Sequence, residues 1–339
     1  MLHSSALRPS RRSVLALAGL GAGAGALAAC GAGGEGSTAP VVVAGCYPME
    51  YLLDRIGGEE IDIVQLAKPG ADAHGIELSP KQVIEIQEAA LVVQIPGLQT
   101  ALDDAISSHG DENVLDVSTV VSMLSADEGH EHEHEHEHEG SEHDEAAGSG
   151  SSDEGGAEAG GDGHDHGIAG DDPHLWHDPA RMADIADALA QRLGQIVPEA
   201  AETFTANAET VRTELEDLDA ELAESFGAAD GERTFVTSHT AFSYLADRYD
   251  LTQVGITGID PETEPSPQRL LELEGVIAEA GVTTIFFETT ASPKVAQTLA
   301  DNVGVEAEEL DNLATQLSED ADYPQVMREN SRKLVESWS

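Results

Sequence analysis

Residues 125–170 constrain this chain more than any other stretch, because they cannot belong to a core. Gly, Ser, Asp, Glu and His make up almost all of the segment, and its one large aliphatic side chain is Ile168. Ordering backbone costs about 1–2 kcal/mol per residue, which burial of apolar surface must offset, so the segment is expected to be a disordered insert. Any fold must then be assembled from the blocks before and after it. A structureless loop of this length inside a domain is usually functional or a linker. Here the composition points to metal. His130, His132, His134, His136 and His138 alternate with glutamates, and His143, His164 and His166 follow. Imidazole is the commonest ligand for borderline-soft cations such as Zn²⁺, and the carboxylates add oxygen ligands and negative potential. An extended chain would put the histidines on one side; a transient helix would pair His132 with His136 and His134 with His138. Either can chelate. Because the loop must be ordered at each capture, the tract is expected to be an accessory site, weaker and faster than a preformed one. The plain alternative is an acidic solubilising spacer.

Both flanking blocks alternate strand and helix. In the first, residues 41–45, 61–66 and 90–95 read as strands, with helical spacing over 51–56 and 80–90. In the second, 234–238, 252–256, 283–287 and 305–310 read as strands, with helices over 240–249, 266–280, 295–303 and 324–338. Between the blocks come helices over 180–197 and 200–226. The second carries Leu215, Leu218 and Leu222 beside a strongly acidic face, as suits a long helix bridging two lobes. The pattern predicts an α/β chain: two similar α/β lobes joined by a long rigid helix, with a metal cleft between them. Parallel sheets hold ligands beyond the C-terminal ends of their strands. The expected organisation is 1–29 signal peptide, 30–39 flexible tether, 40–198 first lobe carrying the insert, 199–228 linking helix and 229–339 second lobe.

The first thirty residues have a basic start at Arg8, Arg11 and Arg12, an apolar run over 14–27 and small residues up to Cys30. Leu27-Ala28-Ala29-Cys30 resembles a bacterial lipobox, which implies cleavage before Cys30 and lipid on that cysteine. Arg11-Arg12 also resembles a twin-arginine signal, leaving the export route open. The chain is expected on the outer face of the cytoplasmic membrane, held there by its N-terminal lipid, as a monomer. Cleavage would remove three arginines and no acids, leaving 13 Lys+Arg against 65 Asp+Glu and a formal charge of −52. Such a surface excludes nucleic acid as a partner. With Cys30 lipidated, Cys46 has no partner for a disulfide and is expected to be a buried, inert thiol.

Three histidines outside the tract stand at loops and element ends where a cleft would gather them: His74, His174 and His239. The segments around them, Lys68-Pro-Gly-Ala-Asp-Ala-His74, Asp172-Pro-His174-Leu-Trp and Ser238-His239-Thr-Ala-Phe, together with Glu264-Pro-Ser-Pro267, Phe286-Phe-Glu288 and Leu310-Asp311-Asn-Leu313, resemble the metal-specific solute-binding proteins of ABC importers, above all the zinc-uptake branch. The resemblance covers nearly the whole chain after Cys30. It implies His74, His174, His239 and Asp311 as ligands to Zn²⁺, and as partners an ABC permease and its cytoplasmic ATPase. His at the third ligand position favours zinc; manganese importers usually carry Glu there. Independently, three imidazoles with a carboxylate suit tetrahedral zinc, with Zn–N expected near ~2.0–2.1 Å, whereas manganese prefers more oxygen. The resemblance usually has Asp-Pro-Leu where this chain has Asp311-Asn312-Leu313, so water is the alternative fourth ligand. Glu77 and Glu288 are expected to be structural or to hydrogen-bond the ligands. Trp176 is expected to pack, and His177 replaces a residue that is usually apolar.

The expected function is extracytoplasmic capture of Zn²⁺ and its delivery to the permease, with no catalysis. The alternatives are manganese or iron import, or a surface zinc sink or adhesin without transport. A zinc hydrolase would also use three histidines, but no His-Glu-x-x-His motif supports one. Both metal sites are expected to weaken below about pH 6, as imidazoles take up protons.

Overall fold

The computed structural model describes residues 39–126, 170–229, 231–289, 292–318 and 322–339. Cys30 and the tract histidines His130, His132, His134, His136, His138, His143, His164 and His166 lie outside the described residues.

The first block forms β1 (Val41–Ala44), α1 (Tyr47–Gly57), β2 (Asp62–Gln65), α2 (Pro80–Glu88), β3 (Leu91–Gln94), α3 (Thr100–His109) and β4 (Val114–Asp116). Its sheet is parallel, in the order β2-β1-β3-β4. The central strand β1 is a β-branched run whose Val42, Val43 and Ala44 are completely buried, as in a sheet covered on both faces. Neither α3 nor β4 is evident from periodicity, because both are short and their apolar positions too sparse to define a period.

The chain then enters β5 (Leu124–Ser125), which pairs antiparallel with β6 (Asp171–Asp172), and the Ala126 amide donates to Gly170 O across 2.9 Å. Ser125 and Gly170 therefore belong to an ordered ribbon and its first turn, inside the bounds expected for the insert. Strands of two residues leave no alternation to read.

Next come α4 (Pro179–Ile196) and α5 (Ala201–Gly227). α5 buries Phe204, Ala208, Val211, Leu215, Leu218, Leu222 and Phe226, a stripe at spacings of three and four, and packs along α4 and α1. Arg55 of α1 reaches Glu214 at 2.6 Å.

The second block repeats the first: β7 (Thr234–Thr237), α6 (Ser243–Tyr249), β8 (Thr252–Gly255), α7 (Pro267–Glu279), β9 (Thr284–Glu288), α8 (Lys294–Val303) and β10 (Glu306–Leu310). Its parallel sheet runs β10-β9-β7-β8, the same topology read from the other edge. The closing helix α9 (Tyr323–Ser337) lies on α5, and Trp338 Nε1 donates to Thr234 O at 2.8 Å. Arg248 of α6 pairs with Asp219 of α5 at 2.5 Å, so one helix is tied to both halves. The largest apolar cluster runs from α1 through α4 and α5 to α6 and α9 without interruption. Cys46 lies within it, completely buried, and burial pushes its thiol up to about 12, as expected of an inert cysteine. No helix among the described residues is long and apolar enough to cross a membrane.

Candidate metal centre

Each of the three histidines is delivered by the end of a strand. His74 lies in the loop after β2, His174 follows β6, and His239 follows β7. Their loops are held from behind. Gln99, buried at the start of α3, donates its side-chain amide to Ala73 O at 3.0 Å and Gly45 O at 2.7 Å, which fixes the backbone next to His74. A Cβ on Gly45 would lie 2.6 Å from Gln99 Oε1, so a larger residue there would displace the Gln99 side chain from these bonds. The His239 carbonyl accepts from Thr237 Oγ1 at 2.6 Å and from Gln253 Nε2 at 3.2 Å. Trp176 ties the turn after His174 to the far loop through a 2.8 Å bond from Nε1 to Asn312 O, and its ring stands edge-on to His174. The packing role expected of Trp176 thus includes a specific bond.

The rings converge. Nε2 of His174 is 3.0 Å from Nε2 of His74 and 3.4 Å from Nε2 of His239, and one ligand atom from each of the three lies within 4.8 Å of the others. His174 and His239 are buried; His74 keeps a side chain 13% exposed and forms the open side. Behind each ring stands a carboxylate. His74 Nδ1 is 2.9 Å from Asp72 Oδ1 and His174 Nδ1 is 2.7 Å from Asp172 Oδ1. His239 Nδ1 approaches Glu288 Oε2 to 2.9 Å, without the alignment of a hydrogen bond, while the His239 amide donates to Glu288 Oε1 at 3.3 Å. A carboxylate on Nδ1 selects the tautomer that carries its proton there and turns the Nε2 lone pair outward. Three lone pairs aimed at one point repel each other and attract one cation.

Two of these carboxylates went unassigned a role from sequence, although a signal for them exists. Asp72 and Asp172 each stand two residues before a ligand, in Asp-x-His, and each accepts from both the backbone amide and the ring of that histidine. This is the turn that Asp makes two residues on, here also aiming an imidazole. Burial raises both carboxyls, but the contacts to their histidines prevail and hold them below the usual range. Burial pushes His174 down to about 4, against the pull of Asp172, so the ring stays neutral and ready to bind metal at neutral pH.

Asp311 stands outside the group of three, and its Oδ1 accepts the Leu313 amide at 2.8 Å. Leu313 is held at a positive φ of 60°, rare for such a side chain, in a loop also pinned by Asn330. Burial raises the Asp311 carboxyl to about 6, with Glu309 adding to the effect and the Leu313 amide and Lys333 opposing it. His177 is also outside the group. It is completely buried, tilted against Phe242 with ring centroids 4.4 Å apart, and neither ring nitrogen makes an aligned hydrogen bond, although the Asn312 backbone is close enough to favour its charged form. Glu77 is exposed on the His74 loop.

A family model described as zinc-uptake complex component A, periplasmic (ZnuA), matches residues 42–337. The zinc-binding protein AdcA of Streptococcus pyogenes serotype M1 is 34% identical over 299 residues, covering 86% of this chain but 55% of AdcA. The chain thus spans about half the length of that relative. The high-affinity zinc uptake system protein ZnuA of Bacillus subtilis is 31% identical over 304 residues, covering 87% of this chain and 86% of that protein. Among solved structures, a Zn(II)-bound variant of AdcAII from Streptococcus pneumoniae superposes with a TM-score of 0.70 at 26% identity, covering 89% of this chain and 99% of that one. The family match runs from the first strand to the last helix and takes in all three converging imidazoles, and on that extent the chain belongs to the ZnuA family of zinc-uptake components.

Proposed function

We propose that this chain is the extracytoplasmic zinc-binding component of an ABC importer, capturing Zn²⁺ on His74, His174 and His239 and delivering it to a membrane permease driven by a cytoplasmic ATPase. The observation that carries the reading is the convergence of three Nε2 atoms, each ring backed by a carboxylate. Three neutral imidazoles suit a borderline-soft tetrahedral ion and leave manganese short of oxygen. Three carboxylates behind the rings offset the charge of a divalent cation. Asp311 or a water completes the shell. Zinc is cargo, and the protein performs no chemistry on it.

In this reading residues 40–198 and 229–339 are the two lobes, and 199–228 the brace that limits their separation, so release proceeds by local rearrangement. Cys30 carries the lipid that holds a monomer at the outer face of the cytoplasmic membrane. His130, His132, His134, His136, His138, His143, His164 and His166 form the accessory low-affinity tract.

The test is a competition between zinc and manganese on the chain lacking residues 127–166, with metal counted per protein and His239→Ala alongside. One zinc kept against excess manganese, and lost in the variant, is the expected result. Manganese preference, or no zinc at all, sinks the assignment.

A further inference from the structure

The segment 172–177, which carries His174, precedes α4 in the chain and so stands with the first block by sequence. Its bonds reach the other way. Trp176 donates to Asn312 O, beyond β10, at 2.8 Å, and Tyr323 of α9 donates to Trp176 O at 2.5 Å. The His177 ring lies against Phe242, just before α6, and Tyr244 of α6 donates to Asp172 O at 2.6 Å. Towards the first block the segment is held through the ribbon, where Asp172 pairs with Leu124. His174 is therefore fastened to the half that also supplies His239.

Of these contacts, that of Tyr244 bears on the aim of the ligand ring. Asp172 is gripped at its carbonyl by the Tyr244 hydroxyl, while its carboxylate grips both the amide and the ring of His174, at 2.9 and 2.7 Å. A shift of the Asp172 backbone thus turns the imidazole. The hydroxyl itself cannot wander. Tyr244 is completely buried, its oxygen also accepts the Leu124 amide at 2.8 Å, and the Arg181 guanidinium lies 4.8 Å above its ring with Nε bonded to Ser122 O at 3.0 Å. A phenylalanine would fill the same volume, so what the tyrosine adds is a fixed point for Asp172 O. Ser243, the preceding residue, comes close enough to the Asp172 carboxylate to help keep it charged.

Tyr244 stands five residues after His239, and the stretch between them is stiff. The Ala241 amide donates to His239 O at 3.0 Å, the Phe242 amide donates to Gln253 Oε1 at 3.0 Å, and Gln253 Nε2 returns to His239 O at 3.2 Å. One short stretch of the second half therefore reaches the metal centre twice, directly by the His239 ring and indirectly by the Tyr244 hydroxyl.

We infer that Tyr244 is a positioning residue of the metal centre, which sets the aim of His174 through Asp172 and ties the place of that ring to that of His239. Its hydroxyl then governs how long the ion is held. This rests on the zinc reading above.

The experiment loads the full chain with one equivalent of zinc and follows its release to an excess of chelator by stopped flow, and the visible spectrum of the Co²⁺-loaded chain is recorded alongside. Wild type, Tyr244→Phe, Asp172→Asn, the double variant and Leu218→Ala are compared. Expected for Tyr244→Phe is release about 3–10-fold faster, short of the 10–100-fold usual when a group touching a ligand is lost, with the association rate unchanged and the Co²⁺ band altered. Because the hydroxyl acts through Asp172, the double variant should release zinc within about twofold of Asp172→Asn alone. Leu218→Ala, which weakens the core away from this segment, should release zinc at the wild-type rate. Wild-type release and spectrum in Tyr244→Phe, effects that multiply in the double variant, or equal acceleration in Leu218→Ala would each overturn the inference, leaving the hydroxyl as a closure of the ribbon alone. A wild-type chain that holds no zinc removes the zinc reading itself.

Discussion

At the scale of the residue, the site depends as much on the groups behind the imidazoles as on the imidazoles. Glu288→Gln preserves size and removes the charge behind His239. It should weaken zinc binding by about 10–100-fold, the usual effect of losing such a partner, as read by chelator competition. His177 gives a second test. Burial holds it down to about 3 and His174 down to about 4, whereas both titrate near ~6.5 in the unfolded chain. Between those values the unfolded state binds more protons, so the metal-free protein should be most stable above about pH 6.5 and lose stability as pH falls towards 4. Each group contributes about 1.4 kcal/mol per pH unit. Asp311, raised to about 6, holds its proton more tightly when folded and offsets one such share between about pH 4 and 6. His177→Leu should lower the net slope by about 1.4 kcal/mol per pH unit in a thermal melt series and, by removing a buried imidazole that makes no aligned hydrogen bond, raise stability at pH 6 by about 1 kcal/mol. An unchanged slope would mean that His177 already titrates in the folded protein. His74, His174 and His239 were legible in sequence because each sits in a loop or at an element end within a specific motif. The bond from the Leu313 amide to Asp311 Oδ1 was not, since it depends on a side-chain torsion that no spacing records.

Among the elements, the ribbon of β5 and β6 links the site to the rest. Tyr244 of α6 accepts from the Leu124 amide at 2.8 Å and donates to Asp172 O at 2.6 Å, so one hydroxyl from the second half holds both strands two residues before His174. Tyr244→Phe strands a buried amide and carbonyl and should cost about 1–3 kcal/mol in denaturant unfolding. A change below a few tenths would mean that water takes over both bonds. The long helices and central strands could be read from periods of 3.6 and 2, while the ribbon could not. Its pairing partner is some 46 residues away in sequence, and nothing local in two residues marks a strand.

For the molecule as a whole, the shared apolar cluster argues against two independently folding lobes. Leu218 is completely buried in α5, the helix that packs on α1, α4, α6 and α9. Leu218→Ala should cost about 2–5 kcal/mol and shift the unfolding midpoint. Circular dichroism and tryptophan fluorescence should still give one coincident transition, because Trp176 and Trp338 report on the same core. Two separated transitions would show that the halves come apart.

The closure of the ribbon has a further consequence. With the Ala126 amide bonded to Gly170 O, the chain leaves and rejoins the fold at one point, and loop-closure entropy grows only with the logarithm of loop length, roughly 0.6 kcal/mol per doubling. The stem therefore works as a socket. Tracts of very different length, or a folded reporter such as a fluorescent domain, can be carried there with little cost to the ligands beneath, which makes this turn a natural grafting point for a zinc sensor.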